Sequence, residues 1–135
     1  MLLKTLTDTH TLAQRLSTLP RGSLLILSGP LGAGKTTLTQ ALAKALESPA
    51  KVSSPTYTLI HEYPTPEGIL VHIDAYRLKD AEALFELGLE DYLERARLVA
   101  VEWGESLLDS YPDAAQVKFS LDEERKAELV NVPES

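Results

Sequence analysis

The 135-residue chain has no cysteine, one methionine, one tryptophan and two phenylalanines, and it contains no long apolar run. The missing cysteines exclude disulfides, zinc–thiolate sites and a cysteine nucleophile, and nothing else points to an oxidising compartment. Aliphatic runs such as Leu24-Leu25-Ile26-Leu27 are of strand length, so no membrane helix is expected. Positive charge is scarce as well. Thirteen Lys and Arg stand against twenty Asp and Glu, giving a net charge of −7, and the basic residues are scattered. Gripping a nucleic-acid backbone takes a cluster of cations, so independent RNA or DNA binding is not expected and any such role should run through partners. The three histidines, His10, His61 and His72, have no metal-ligand spacing relative to one another, and no Ser-His-Asp set stands out. What remains is an ordinary globular composition, 44% hydrophobic and 24% charged, expected to form one cytoplasmic domain over residues 1–135.

One stretch organises that domain. Gly29-Pro30-Leu31-Gly32-Ala33-Gly34-Lys35-Thr36 fits the phosphate-binding pattern G-x-x-x-x-G-K-[ST] at every fixed position. Residues 23–28 read as a buried strand and residues 36–46 as a helix, so strand, glycine loop and helix come in the required order. Gly29, Gly32 and Gly34 open backbone conformations closed to residues with a Cβ, which lets successive N–H groups, Ala33 included, turn inward around a phosphate. The helix N-terminus adds its own unpaired N–H groups, and Lys35 adds a full positive charge near the β- and γ-phosphates. Thr36 offers a hydroxyl to Mg2+. Thr37, one residue further on, either reaches the α-phosphate or caps the helix. The ligand this points to is a purine nucleoside triphosphate, the class that includes ATP and leaves ADP on hydrolysis, with magnesium; the reaction is not fixed by the motif.

Before that stretch, residues 7–19 carry Leu12, Ala13, Leu16 and Leu19 at helical spacing, with Thr7, Asp8 or Thr9 as N-cap. After it, strands are expected at residues 57–63 and 69–74 around a turn at residues 64–68, then short helices at 80–87 and 90–95. A further strand at residues 97–102 leads into Trp103-Gly104, and Leu107-Leu108 falls in a short helix. Residues 115–121 and 127–132 alternate apolar and polar, joined by a charged turn, Asp122-Glu123-Glu124-Arg125, in which Arg125 reads as an exposed arginine. The fold class is an α/β P-loop domain, with a mostly parallel central sheet flanked by helices, antiparallel strands at its edge and ligand chemistry at the carboxyl ends of the strands.

Asp74 and Glu102 each end an apolar strand, where the metal-organising acid of a P-loop nucleotidase stands. Glu102 is expected to hold magnesium directly or through water, and Asp74 to bind a metal water or position the water that attacks the γ-phosphate. Thr56 sits in the loop after the P-loop helix, either a γ-phosphate sensor or part of a plain turn, Ser54-Pro55-Thr56. Trp103 either stacks near the nucleotide or packs as an ordinary aromatic. Arg77, three residues beyond Asp74, either neutralises phosphate charge or, as is commoner for an arginine, forms a structural ion pair, and His72 reads as a residue alternating within its strand.

The phosphate loop through Thr37, then Ser53-Ser54-Pro55-Thr56-Tyr57-Thr58-Leu59, His72-Ile73-Asp74-Ala75-Tyr76-Arg77-Leu78 and Val101-Glu102-Trp103 together resemble the bacterial TsaE (YjeE) family. The resemblance implies a small ATPase of tRNA threonylcarbamoyladenosine biosynthesis that acts with TsaD and TsaB, weak alone, and meets tRNA through that complex. It further implies Lys35 and Thr36 as phosphate and magnesium residues, Thr56 as a switch, Asp74 as a catalytic-site acid, Glu102 as the magnesium acid and Trp103 at the nucleotide, and by analogy it allows Arg125 a place near the nucleotide, against the exposed turn that its local sequence favours. Two other classes share the loop. A small-molecule kinase needs an acceptor pocket and an arginine-bearing lid for which this chain leaves little room, and a nucleotide-dependent scaffold would bind tightly without turnover.

Overall fold

The structure, a computed structural model, describes residues 1–30, 34–49, 60–75 and 81–133. In chain order its elements are α1 (Leu6–Leu16), β1 (Ser23–Ser28), α2 (Lys35–Ala45), β2 (Ile60–Thr65), β3 (Gly68–Asp74), α3 (Ala81–Glu86), α4 (Leu89–Arg95), β4 (Leu98–Glu102), a 3-10 helix (Glu105–Asp109), β5 (Ala115–Leu121) and β6 (Arg125–Val130). Among the described residues the strands form one sheet in the order β2-β3-β4-β1-β5-β6. It is parallel from β3 through β4 and β1 to β5, and antiparallel at the two outer pairs. This is the expected α/β sheet with a parallel centre.

Strand β1 is buried on both faces because it lies between two parallel neighbours under helices. Leu25 and Leu27 of β1, Leu98 and Ala100 of β4 and Leu70 of β3 pack with Leu12 and Leu16 of α1 and Leu38 and Leu42 of α2. Leu24 and Ile26, Val99 and Val101, and Val71 and Ile73 face the other way, onto Leu84 of α3, Leu89 of α4 and Leu107. Side chains alternate along a strand, so this division fixes where the strand-end acids point: Asp74 follows Leu70 and His72, and Glu102 follows Leu98 and Ala100, onto the α2 face. The carboxyl end of β1 falls between β4 on one side and β5 on the other. That is a topological switch point, where an open α/β sheet leaves a crevice.

Helix α1 starts and stops earlier than its apolar spacing suggests. Its N-cap is Thr5, in a capping box in which Asp8 N–H donates to Thr5 Oγ1 at 3.3 Å and Asp8 Oδ2 accepts from the N–H of Thr5 at 3.0 Å. At the other end the Arg97 guanidinium donates to the carbonyls of Ser17 and Leu19 at 2.7 and 2.8 Å, so Leu19 packs into the core from a turn. Pro64, expected in the turn, lies in edge strand β2 opposite Ile69, where a missing N–H is tolerated. The first three residues of the strand expected at 57–63 lie outside the described residues. The strand expected at 127–132 begins two residues earlier, so Arg125 belongs to β6 and not to the turn.

Candidate functional site

The loop's two described ends are set by backbone geometry. Gly29 has φ +129° and Gly34, the N-cap of α2, has φ +114°, both in the region that favours glycine. Gly29 has no room for a side chain either, because a Cβ there would stand 2.5 Å from the Phe119 carbonyl oxygen of β5. With Gly34 as N-cap, Thr37 lies inside the first turn of α2 and does not cap it; Thr36 and Thr37 are both half-buried there. Gly32 and Ala33 lie outside the described residues, as do Thr56 and Arg77.

Lys35, the first residue of α2, is only 4% exposed. Its Nζ donates to the Gly29 carbonyl at 2.8 Å and sits 3.9 Å from the centroid of the Trp103 ring. Burial holds its ammonium below the ordinary lysine value, and the charges of Glu102, then Asp74 and Glu105, pull it back up. A partly desolvated cation with carboxylates close enough to raise its pKa is chemically suited to the oxygens of a polyphosphate and its metal.

Asp74 and Glu102 are register partners at the carboxyl ends of β3 and β4. Both therefore lie on the α2 face, as the alternation requires, within electrostatic reach of Lys35. Glu102 is 7% exposed, and its Oε2 lies 2.6 Å from His72 Nε2, with His72 completely buried. The chain then turns sharply. Trp103 has φ +62°, a strain of about 1–3 kcal/mol for a bulky residue, held in place by its N–H donating to the Leu27 carbonyl at 3.1 Å. Gly104 follows because a Cβ there would stand 2.8 Å from Val101 Cγ1. These two residues fold the indole back over Lys35, so Trp103 lines the site as a partner of the lysine.

Of the residues singled out from the sequence, the structure brings Lys35, Trp103, Glu102 and Asp74 together, with Thr36 and Thr37 in the adjoining helical turn. Two further residues belong to the surroundings of this site. His72 was read as an alternating strand residue and is hydrogen bonded to Glu102. Arg125, for which an exposed turn was expected over a place near the nucleotide, opens β6 with its Cδ 3.5 Å from where a Cβ on Gly34 would stand, so its exposed side chain runs past Gly34. The hard oxygen donors Thr36, Glu102 and Asp74 suit magnesium, which binds through one or two carboxylates plus phosphate oxygens. Among the described residues no group of three or more His, Cys, Asp or Glu forms a protein-only metal cage, and no helix is long and apolar enough to cross a membrane.

A mixed α/β sheet with a parallel centre, a phosphate-loop sequence between its central strand and the next helix, and two acids on neighbouring strand ends define an α/β protein of the phosphate-loop class. Within that class the chain belongs to the TsaE family: residues 3–129 match the model described as threonylcarbamoyl adenosine biosynthesis protein TsaE. It is 46% identical over 101 residues to a tRNA threonylcarbamoyladenosine biosynthesis protein TsaE of Aquifex aeolicus, covering 73% of this chain and 71% of that protein. The Haemophilus influenzae protein of the same description is 40% identical over 91 residues, 67% of this chain, and the match spans 58% of that protein's length. The crystal structure of Bacillus subtilis YdiB superposes with a TM-score of 0.74 at 28% identity, covering 98% of this chain and 84% of that one.

Proposed function

We propose that this chain is a magnesium-dependent ATPase of tRNA threonylcarbamoyladenosine formation that works in the cytoplasm with TsaD and TsaB. The observation that carries the reading is the convergence of Lys35, Asp74 and Glu102 beside a phosphate-loop sequence, in a chain whose family is described by that pathway. Backbone N–H groups of Gly32, Ala33, Gly34, Lys35, Thr36 and Thr37 cradle the phosphates. Lys35 exchanges the Gly29 carbonyl for β- and γ-phosphate oxygens and stabilises the charge that builds there during transfer. Thr36 and Glu102 hold the magnesium ion, which neutralises phosphate charge when bound. Asp74 orients the attacking water, Thr56 senses the γ-phosphate, and Trp103 borders the nucleotide.

A chain with a net charge of −7 and no basic cluster is suited to meeting tRNA through other proteins. The test is phosphate release from ATP by the purified chain, alone and with TsaD, TsaB and tRNA. Turnover is expected to rise at least about fivefold with the partners, the lower end of ordinary coupling between sites. Phosphate transferred to a metabolite would instead show a kinase, and tight ATP binding with no turnover in any mixture would show a scaffold.

A further inference from the structure

His72 is the one fully buried titratable group among the described residues that the proposed function leaves without a task. It stands opposite Ala100 in the β3–β4 register, so Glu102, two residues further along β4, is its diagonal neighbour on the same face. Its surroundings on that face are the apolar layer of Leu70, Leu98 and Ala100 beneath α1 and α2, in which an imidazole earns nothing by packing alone. Nε2 lies 2.6 Å from Glu102 Oε2, and Nδ1 is buried with no hydrogen-bond partner. The tautomer with its proton on Nε2 satisfies both facts, since it donates to the carboxylate and presents only a lone pair to the apolar layer.

The geometry points to His72 as the positioning residue of the nucleotide site, which by donating from Nε2 to Glu102 Oε2 fixes the carboxylate and leaves Oε1 to meet magnesium. This rests on the reading of Glu102 as the magnesium acid. A carboxylate on an otherwise unsupported glutamate has three side-chain torsions to settle before it can ligate, and a buried hydrogen bond to one oxygen settles them in advance. Partners of this kind, standing behind a metal ligand, typically change metal affinity or activity by about 10- to 100-fold when removed. The histidine itself touches neither nucleotide nor metal.

The test compares His72→Gln with His72→Asn. Both place a polar amide in the layer, but only glutamine sets its nitrogen near the place of Nε2, within reach of Glu102. The readout is the magnesium concentration that half-saturates the binding of N-methylanthraniloyl-ATP at equilibrium, with affinity in EDTA and the thermal midpoint measured alongside. For His72→Asn the half-saturating magnesium concentration should rise about tenfold or more, with affinity in EDTA unchanged, while His72→Gln stays within about threefold of wild type. Equal shifts for the two variants would show that the ring acts by its bulk and overturn the proposal. No shift in either, with a clear shift in Glu102→Gln, would show that Glu102 holds the cation without the histidine. No shift in Glu102→Gln would remove the magnesium role of Glu102 itself, and the proposal with it.

Discussion

Replacing Glu102 with glutamine should lower magnesium-dependent ATP turnover, measured with TsaD, TsaB and tRNA present, by about a hundredfold or more. The substitution keeps the length and nearly the shape of the side chain, and its amide oxygen can still accept from His72 Nε2 at the end of β4. What it removes is the negative charge on the metal-facing side. A metal bridging transferring phosphates contributes several kcal/mol to charge stabilisation, and each 1.36 kcal/mol lost costs about tenfold in rate, so loss of roughly 3 kcal/mol gives the expected factor. The effect should be far smaller on ATP affinity in the absence of magnesium, because the substitution leaves in place the phosphate contacts proposed for Lys35 and the loop backbone. Steady-state phosphate release against magnesium concentration checks it, and unchanged turnover would take Glu102 out of the site.

Gly29→Ala should destabilise the fold more than any other single methyl addition at the described glycines. At φ +129° an L side chain is strained by about 1–3 kcal/mol before any contact is counted. The added Cβ then meets the Phe119 carbonyl oxygen at 2.5 Å and Phe119 Cβ at 2.8 Å. Neither can retreat cheaply, because Phe119 is buried in β5 and paired with Ala127 of β6. The total should reach about 3–5 kcal/mol, a large part of the 5–15 kcal/mol that holds a domain of this size together. A fall of roughly 10–20 °C in the thermal midpoint follows. Gly88→Ala is the matched control: its φ is +94°, but a Cβ there has nothing within 4 Å, so it pays the backbone strain alone. Thermal unfolding of the two variants side by side separates collision from strain, and equal shifts would contradict the packing of β5 against the phosphate loop.

The positions of β1 and α2 were legible because both depend on local signals, an apolar run and a 3.6-residue spacing on either side of a glycine motif. The acids at 74 and 102 were legible for a related reason. An apolar strand that ends in a carboxylate delivers it to the carboxyl edge of the sheet whichever neighbours it acquires. The hydrogen bond between His72 and Glu102 was not, because it depends on the register of β3 against β4, which a single strand does not encode. The alternation in Ile69–Asp74 already placed His72 on the same face as Asp74, and that was the available signal. Arg97 reaching back to the carbonyls of Ser17 and Leu19 is likewise a contact across most of the chain, and it shortened α1 against its own periodicity. Trp103 was half legible: its place after Glu102 put it near the site, but the turn that folds it over Lys35 depends on the lack of space for a Cβ at Gly104 beside Val101, which no local pattern announces.

The central claim is that Lys35 and the loop around it form a nucleotide site, and the most direct test is a calorimetric titration of ATP with magnesium into wild type and Lys35→Ala. The wild-type chain should bind one nucleotide, and loss of a buried cation that would hydrogen bond the phosphates should weaken binding by roughly 10- to 100-fold with little change in fold. Equal affinity in the two proteins, or no binding by the wild type, would contradict the account.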